Sequence, residues 1–331
     1  MIRVGIIGLG GISHVHRKSY RRLMEEGAAI SLEAFCDLLP ERTADLGGRA
    51  YTEIETFLRE ERGRLDMVDI CLPTYLHAET AVRALESGFH VLVEKPMALN
   101  HADALRMCRA AERSGRTLMV AQCLRFSQEI EAVRRYLASG VFGAFKTADV
   151  RRDFGRLNVP EGYWFLREEC SGGALLDVHV HDIDWMQSVF GVPESLSTGA
   201  SKVIPGDGYD IVSTNYYYKG GAFAHCSGEW TTDHNPYASV QQLVKFEKGY
   251  LLHTSFEGER VFRAVAEDGT VTELAPEQPV DMYYEEIRYF TECVAAGLPV
   301  ARCTPESTAE SIRIAMAEIA SADAKGERIA L

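Results

Sequence analysis

Ile2-Arg3-Val4-Gly5-Ile6-Ile7-Gly8-Leu9-Gly10-Gly11-Ile12-Ser13 stands at the amino end of the chain. Residues 2–7 form an apolar run rich in Ile and Val, which reads as a strand buried on both faces. Residues 12–26 then carry a helical pattern. Between strand and helix, Gly8 permits a tight turn, and Gly10 lets backbone N–H groups approach an anion at the helix start. Gly11 and Ile12 complete the turn. Ser13 takes the third, helix-packing position of a Gly-x-Gly-x-x-(Gly/Ala/Ser) pattern.

Working outward, residues 31–37 form a second strand ending at Asp37. Helices follow at about 40–46 and 53–62, then a strand at 67–72 and a helix at 76–87. His90-Val91-Leu92-Val93 is a strand running into Glu94-Lys95-Pro96; a helix at 101–114 and a strand at 118–121 close the series. Strands alternating with helices imply βαβ units and a doubly wound parallel sheet. The pattern then changes. A helix at 128–139, a strand at 145–154 and a long helix at 173–190 precede extended segments from about 195 to 274. Successive strands without helices between them favour an antiparallel sheet. Helices at about 281–296 and 305–323 end the chain. The expected fold class is α/β: an amino-terminal doubly wound domain, 1–122, and a carboxy-terminal α+β domain, 123–331, with a large, mostly antiparallel open sheet. The last helix is a candidate to pack back on the first domain.

The 331 residues are 46% hydrophobic and 25% charged, as in a globular protein. A formal net charge of −13 argues against nucleic acid and against anionic membranes as partners. No apolar run approaches a membrane span, and the amino terminus lacks the basic stretch and cleavage site of a signal peptide, so a cytoplasmic protein is expected. Cys36, Cys71, Cys108, Cys123, Cys170, Cys226, Cys293 and Cys303 include no Cys-x-x-Cys spacing and read as reduced, mostly buried thiols.

Asp37 ends the second strand, where a carboxylate accepts hydrogen bonds from ribose hydroxyls and repels a 2′-phosphate. That favours NAD, while nearby Arg42 leaves NADP open; the alternative role for Asp37 is to cap the segment beginning near Pro40. Asp177, His181 and Asp184 share one face of the 173–190 helix. Oxidising an alcohol needs a proton acceptor near neutrality, for which His181 is suited. Asp177 is placed to bind a neighbouring hydroxyl or tune the ring. Lys95 would stabilise charge on the reacting oxygen. His179 and His181 point about 200° apart on a helix, so they do not share an ion, and no metal is expected.

Gly8 to Ser13, Pro73-Thr74-Tyr75-Leu76-His77, Glu94-Lys95-Pro96 and Gly172-Gly173-Ala174-Leu175-Leu176-Asp177-x-x-x-His181-x-x-Asp184 together resemble the Gfo/Idh/MocA family over essentially the whole chain. The resemblance implies a Rossmann domain and an open-sheet domain whose other face mediates assembly as a homodimer or homotetramer. It also implies NAD(P)-linked oxidation or reduction of a sugar, polyol or cyclitol. Carried over by motif, Lys95 is the active-site lysine, Asp177 and His181 are the substrate-binding and proton-transfer pair, and Pro73, His77 and Glu94 line the nicotinamide side of the cofactor groove. The Lys95–Pro96 bond is cis in this pattern. His179 departs from it, standing where many members have a small residue. Arg125, Asp153, Trp164 and Tyr284 are further substrate-side candidates, each with a structural alternative; His225 and His234 have no assigned role. The rival to an enzyme is a cofactor-binding sugar sensor that kept the fold and lost turnover.

Overall fold

The computed structural model describes every residue except 156–158, 161, 205, 233–238 and 276–278. The chain divides into two compact units: Met1–Phe126 with Asp281–Ile312, and Ser127–Val280 with Arg313–Leu331.

The first unit runs β1 (Ile2–Ile7), α1 (Gly11–Glu25), β2 (Ile30–Cys36), β3 (Arg49–Tyr51), α2 (Ile54–Glu61), β4 (Met67–Ile70), α3 (His77–Glu86), β5 (His90–Glu94), α4 (His101–Ser114) and β6 (Leu118–Ala121). All six strands are parallel, in the order β3-β2-β1-β4-β5-β6. Val4, Ile6, Ile7, Met67, Val68, Ile70, Val91, Leu92 and Val93 are fully buried, as a sheet covered on both faces requires. Asp69 is equally buried in the middle of β4, the one acidic side chain in that strand.

The second unit contains α5 (Gln128–Ser139), β7 (Phe145–Gly155), α6 (Glu168–Ser171), α7 (Val180–Phe190) and the strands β8 (Ser195–Ser201), β9 (Ile211–Tyr217), β10 (Phe223–Thr232), β11 (Ser239–Phe246), β12 (Gly249–Phe256), β13 (Glu259–Ala266) and β14 (Val271–Glu273). After α8 (Met282–Ala296) and α9 (Pro305–Asp323), β15 (Ile329–Ala330) completes a nine-stranded sheet, β14-β13-β12-β11-β7-β10-β9-β8-β15. Its pairs are antiparallel except β7–β10. The helix expected at 173–190 is present, but Leu175–His179 is a π turn immediately before α7.

The domain boundary differs from the sequence expectation. It falls after Phe126 rather than 122, and residues 281–312 belong to the first unit. The cause is packing: Tyr284, Ile287 and Phe290 of α8 share one core with Tyr20 and Leu23 of α1. The apolar face of α8 is thereby buried against a helix that the sequence places over 250 residues earlier.

Candidate active site

In the first unit the site is built on the carboxyl ends of parallel strands. Gly8 leaves β1 with φ +89, and a Cβ there would lie 2.5 Å from the Cys71 carbonyl oxygen, so only glycine fits. Its N–H donates to the Cys36 carbonyl at 2.8 Å. α1 starts on Gly10 with no side-chain cap, and a Cβ at Gly10 or Gly11 would meet nothing within 4 Å. Ile12 lies in the first turn, and the Ser13 hydroxyl donates back to the Gly10 carbonyl at 2.7 Å. An uncapped helix start with open space around its glycines suits a pyrophosphate.

Asp37 is nearly buried and does more than end a strand. One oxygen accepts from the Leu9 N–H at 2.7 Å and the other from Leu39 N–H at 3.0 Å. Arg42 pairs with it at 3.3 Å. Two carboxylate oxygens offer about four lone-pair sites, and a ribose hydroxyl would bind there in place of the long Arg42 contacts of 3.3 and 3.5 Å. The bond to Leu39 is a local i to i+2 turn ahead of the Pro40–Arg42 helical turn, which has no side-chain cap.

Pro73 follows β4, and His77 begins α3. The buried His77 ring lies between the carbonyl oxygens of Pro96 and Leu72, 2.8 Å from each, and so ties the ends of β4 and β5 together. Burial pulls its pKa down. Lys95 leaves the end of β5 in a bend rather than a helix, and the Lys95–Pro96 peptide is cis. Its N–H donates to the Glu94 carboxylate at 3.0 Å. The other Glu94 oxygen meets His16 at 2.7 Å, and His16 also meets Asp69 at 2.8 Å. His16 and Asp69 are buried functional-site neighbours that the sequence analysis missed. Two signals pointed to them: an acidic residue inside an apolar strand, and a histidine on the inward face of α1.

In the second unit, Asp177 lies within the π turn and His181 in the first turn of α7. The Val180 N–H bonds to the Leu175 carbonyl five residues back, which widens the helix at Asp177. Such turns recur at functional sites. The same helix is anchored from behind. Asp182, fully buried, takes a two-pronged bond from Arg152 at 2.7 and 2.9 Å and a third from the Trp185 indole at 2.8 Å. His179 faces the sheet, 3.1 Å from buried Glu318, whose carboxylate also accepts from the Tyr216 hydroxyl. A Cβ at Gly228 would come within 3.1 Å of the His179 ring, so the glycine in β10 makes room for it. His179 is therefore a packing residue of the helix–sheet seam. Lys95 belongs to the first unit, Asp177 and His181 to the second.

One substrate-side expectation needs correction. Tyr284 is 5% exposed; its hydroxyl donates to Glu26 and its ring lies 3.8 Å from the Arg22 guanidinium. Those partners sit at the far end of α1, about 20 Å along the helix from the glycine turn. The neighbouring tyrosine faces the other way: Cys123 first, then burial and Glu94, raise the Tyr283 pKa. Asp153 is buried and lies on the face of β7 opposite Arg152. Arg152 points to α7, so Arg151 and Asp153 point to the opposite face, where they pair at 2.6 Å. Arg125 is buried rather than surface-exposed, and donates to the Arg302 carbonyl at 2.7 Å. Trp164 stacks on Phe165 at 4.1 Å and is partly exposed. His225 joins Ser213 and Asp149 on the face that carries Arg151 and Asp153, and His234 lies outside the described residues. All eight cysteines are free, seven of them buried. No helix among the described residues is long and apolar enough to cross a membrane.

A glycine turn at the carboxyl edge of a doubly wound sheet, a lysine at the same edge and an open-sheet second unit define a dinucleotide-linked oxidoreductase. The oxidoreductase family with an NAD-binding Rossmann fold matches residues 2–122, and the GFO/IDH/MocA C-terminal domain matches residues 130–252. The chain belongs to the Gfo/Idh/MocA family. It is 30% identical over 203 residues to a D-glucoside 3-dehydrogenase of Escherichia coli, covering 60% of this chain and 57% of that protein. It is 27% identical over 191 residues to a myo-inositol 2-dehydrogenase of Thermotoga maritima, covering 57% and 55%. The chain thus aligns with little more than half the length of these two relatives. A levoglucosan dehydrogenase in complex with NADH shares its fold, with a TM-score of 0.85 and 21% identity over 99% of this chain and 98% of that one.

Proposed function

We propose that this protein is a dehydrogenase that moves a hydride between nicotinamide and a secondary hydroxyl or ketone of a sugar, polyol or cyclitol. One observation carries the reading: Lys95 leaves the carboxyl end of β5, separated only by β4 from the glycine turn at the carboxyl end of β1. In doubly wound sheets, ligands bind outside those strand ends. The Gly8–Ile12 turn and Asp37 hold the dinucleotide, with Pro73, His77 and Glu94 along the nicotinamide side. When bound, the nicotinamide supplies the hydride acceptor.

His181 takes the hydroxyl proton, Lys95 stabilises negative charge growing on the same oxygen, and Asp177 binds an adjacent hydroxyl. The relatives named as glucoside and inositol dehydrogenases support a polyhydroxylated substrate. NAD is the preferred cofactor because Asp37 places a carboxylate beside the ribose. We place the protein in the cytoplasm, a reading that its reduced cysteines support, and expect a homodimer or homotetramer. The test is a panel of aldoses, polyols and inositols with NAD, followed by the near-ultraviolet absorbance of the reduced nicotinamide. Tight NAD binding with no turnover on any of them would reject the proposal in favour of a sensor.

A further inference from the structure

A closed set of polar side chains lies under the end of β5. His16 of α1 is fully buried, with Nδ1 2.8 Å from an Asp69 oxygen and Nε2 2.7 Å from a Glu94 oxygen. Carboxylate oxygens only accept. A neutral imidazole has one N–H, so its second nitrogen would turn a lone pair toward a carboxylate. Both contacts are hydrogen bonds when the ring carries two protons. Burial alone would push the ring pKa down; the Asp69 carboxylate, by its charge and its hydrogen bond, outweighs burial and holds it well above the ordinary histidine value. The remaining groups around the ring are the Cys71 thiol, which burial and Asp69 push up to about 12, Tyr20 of the same helix, and Glu286 of α8. Neither Glu286 oxygen has a hydrogen-bond partner among the described residues. Burial, then Glu94, raise its pKa, so this carboxyl is the neutral member of the set.

Ligand atoms of His16, Asp69 and Cys71, and of His16, Glu94 and Glu286, lie within 4.8 Å of one another. An ion does not fit between the histidine and its carboxylates. Two metal bonds of about 2.0–2.1 Å at a tetrahedral angle would hold the ligand atoms roughly 3.3 Å apart, and the observed separations are 2.7 and 2.8 Å. A proton fits where a metal does not.

The Glu94 oxygen not taken by His16 accepts the Lys95 N–H. A continuous chain therefore runs from Asp69 through His16 and Glu94 to the Lys95 backbone. We propose that His16 is a positioning residue for Lys95: as an imidazolium it locks the Glu94 carboxylate against the Lys95 amide and so fixes the backbone from which the lysine side chain departs. The inference rests on the proposed role of Lys95 only for its effect on turnover; the fixing of the backbone stands apart from it.

The test uses the full chain with NAD bound, nitrogen-labelled at histidine and lysine. The His16 ring is expected to show two N–H groups and to keep both at about pH 8, well above the ordinary histidine pKa of about 6.5. A single N–H, or titration at the ordinary value, would overturn the proposal. His16→Gln, with one donor nitrogen in place of two on opposite sides of a ring, is expected to shift the Lys95 amide resonance and lower kcat about tenfold to a hundredfold, leaving NAD affinity within about threefold. Glu94→Gln should likewise shift the Lys95 amide and lower kcat, and the double variant should be no worse in turnover than the worse single one. Additive losses, or an unmoved Lys95 amide, would overturn it. If His16→Gln does not fold, the ring signals of His16 in Glu94→Gln decide instead: loss of the second N–H supports the chain of bonds, and its retention overturns it. Lys95→Ala separates the two readings. Normal turnover in that variant rejects the catalytic lysine and leaves the resonance results to judge His16.

Discussion

Asp37 holds two backbone N–H groups, from Leu9 and Leu39, while carrying the charge proposed to exclude a 2′-phosphate. The two jobs separate in Asp37→Asn, which keeps an acceptor for the turn and removes the charge. Titrations of NAD and NADP should show the preference for NAD narrowing, chiefly through better NADP binding. An unchanged ratio would mean that the charge does not discriminate. His181→Ala tests the proton acceptor: kcat should fall by roughly two to four orders of magnitude. The rise of the alcohol-oxidation rate with pH, as the imidazole loses its proton, should vanish with it. Near-normal turnover with the same pH limb would make His181 structural. The strand-end motifs at Gly8, Asp37 and Lys95 were legible in the sequence because each is local. Tyr284 was misread because adjacent helical residues differ by 100° in direction, and pattern alone did not say which of Tyr283 and Tyr284 faced α1.

The helix at 173–190 was placed by its apolar periodicity, but its π turn was not, since nothing in the order Leu175-Leu176-Asp177-Val178-His179 requires an extra residue per turn. The reason is tertiary. His179 must reach Glu318 on α9 while Asp182 reaches Arg152 on β7. Gly228 under His179 is part of that fit. Gly228→Ala should cost about 1–3 kcal/mol by overpacking, read by chemical unfolding; no loss would show that the seam has slack. At α8, Glu286 makes a second element-scale prediction. Burial raises its pKa, so the folded state binds this proton more tightly than the unfolded chain. Its contribution is full below the unfolded value of about 4.3 and is lost as pH rises toward the raised folded value. Glutamine mimics the protonated carboxyl. Glu286→Gln should therefore match the parent in Tm near pH 4 to 5 and exceed it by a few degrees near pH 8. A parallel pair of Tm–pH curves would show that Glu286 is not the neutral partner inferred here.

At the scale of the molecule, the helices of the second unit among the described residues meet one face of the nine-stranded sheet, through Asp182 to Arg152 and through His179 and Glu318 to Tyr216. Tyr216, Cys226 and Gly228 point to the His179 side, so alternation turns Asn215, His225, Ser227 and Glu229 to the other, with Asp149, Arg151 and Asp153 beside them. Phe223, 52% exposed, and Val261, 37% exposed, lie on that same face. A face of this breadth, part polar and part apolar, is the one we propose to pair with a second copy. The chain's charge of −13 opposes such pairing at long range. Salt screens that repulsion over about 8 Å at physiological strength, whereas contacts across the face are shorter than that. The association should therefore tighten from low to moderate salt. Phe223→Glu together with Val261→Glu would set like charges on both sides of a twofold interface and should yield monomers. Sedimentation of parent and double variant from low to moderate salt is the measurement. A parent that sediments as a monomer at micromolar concentration in moderate salt would refute the assembly, and a variant that stays assembled would move the interface to another surface.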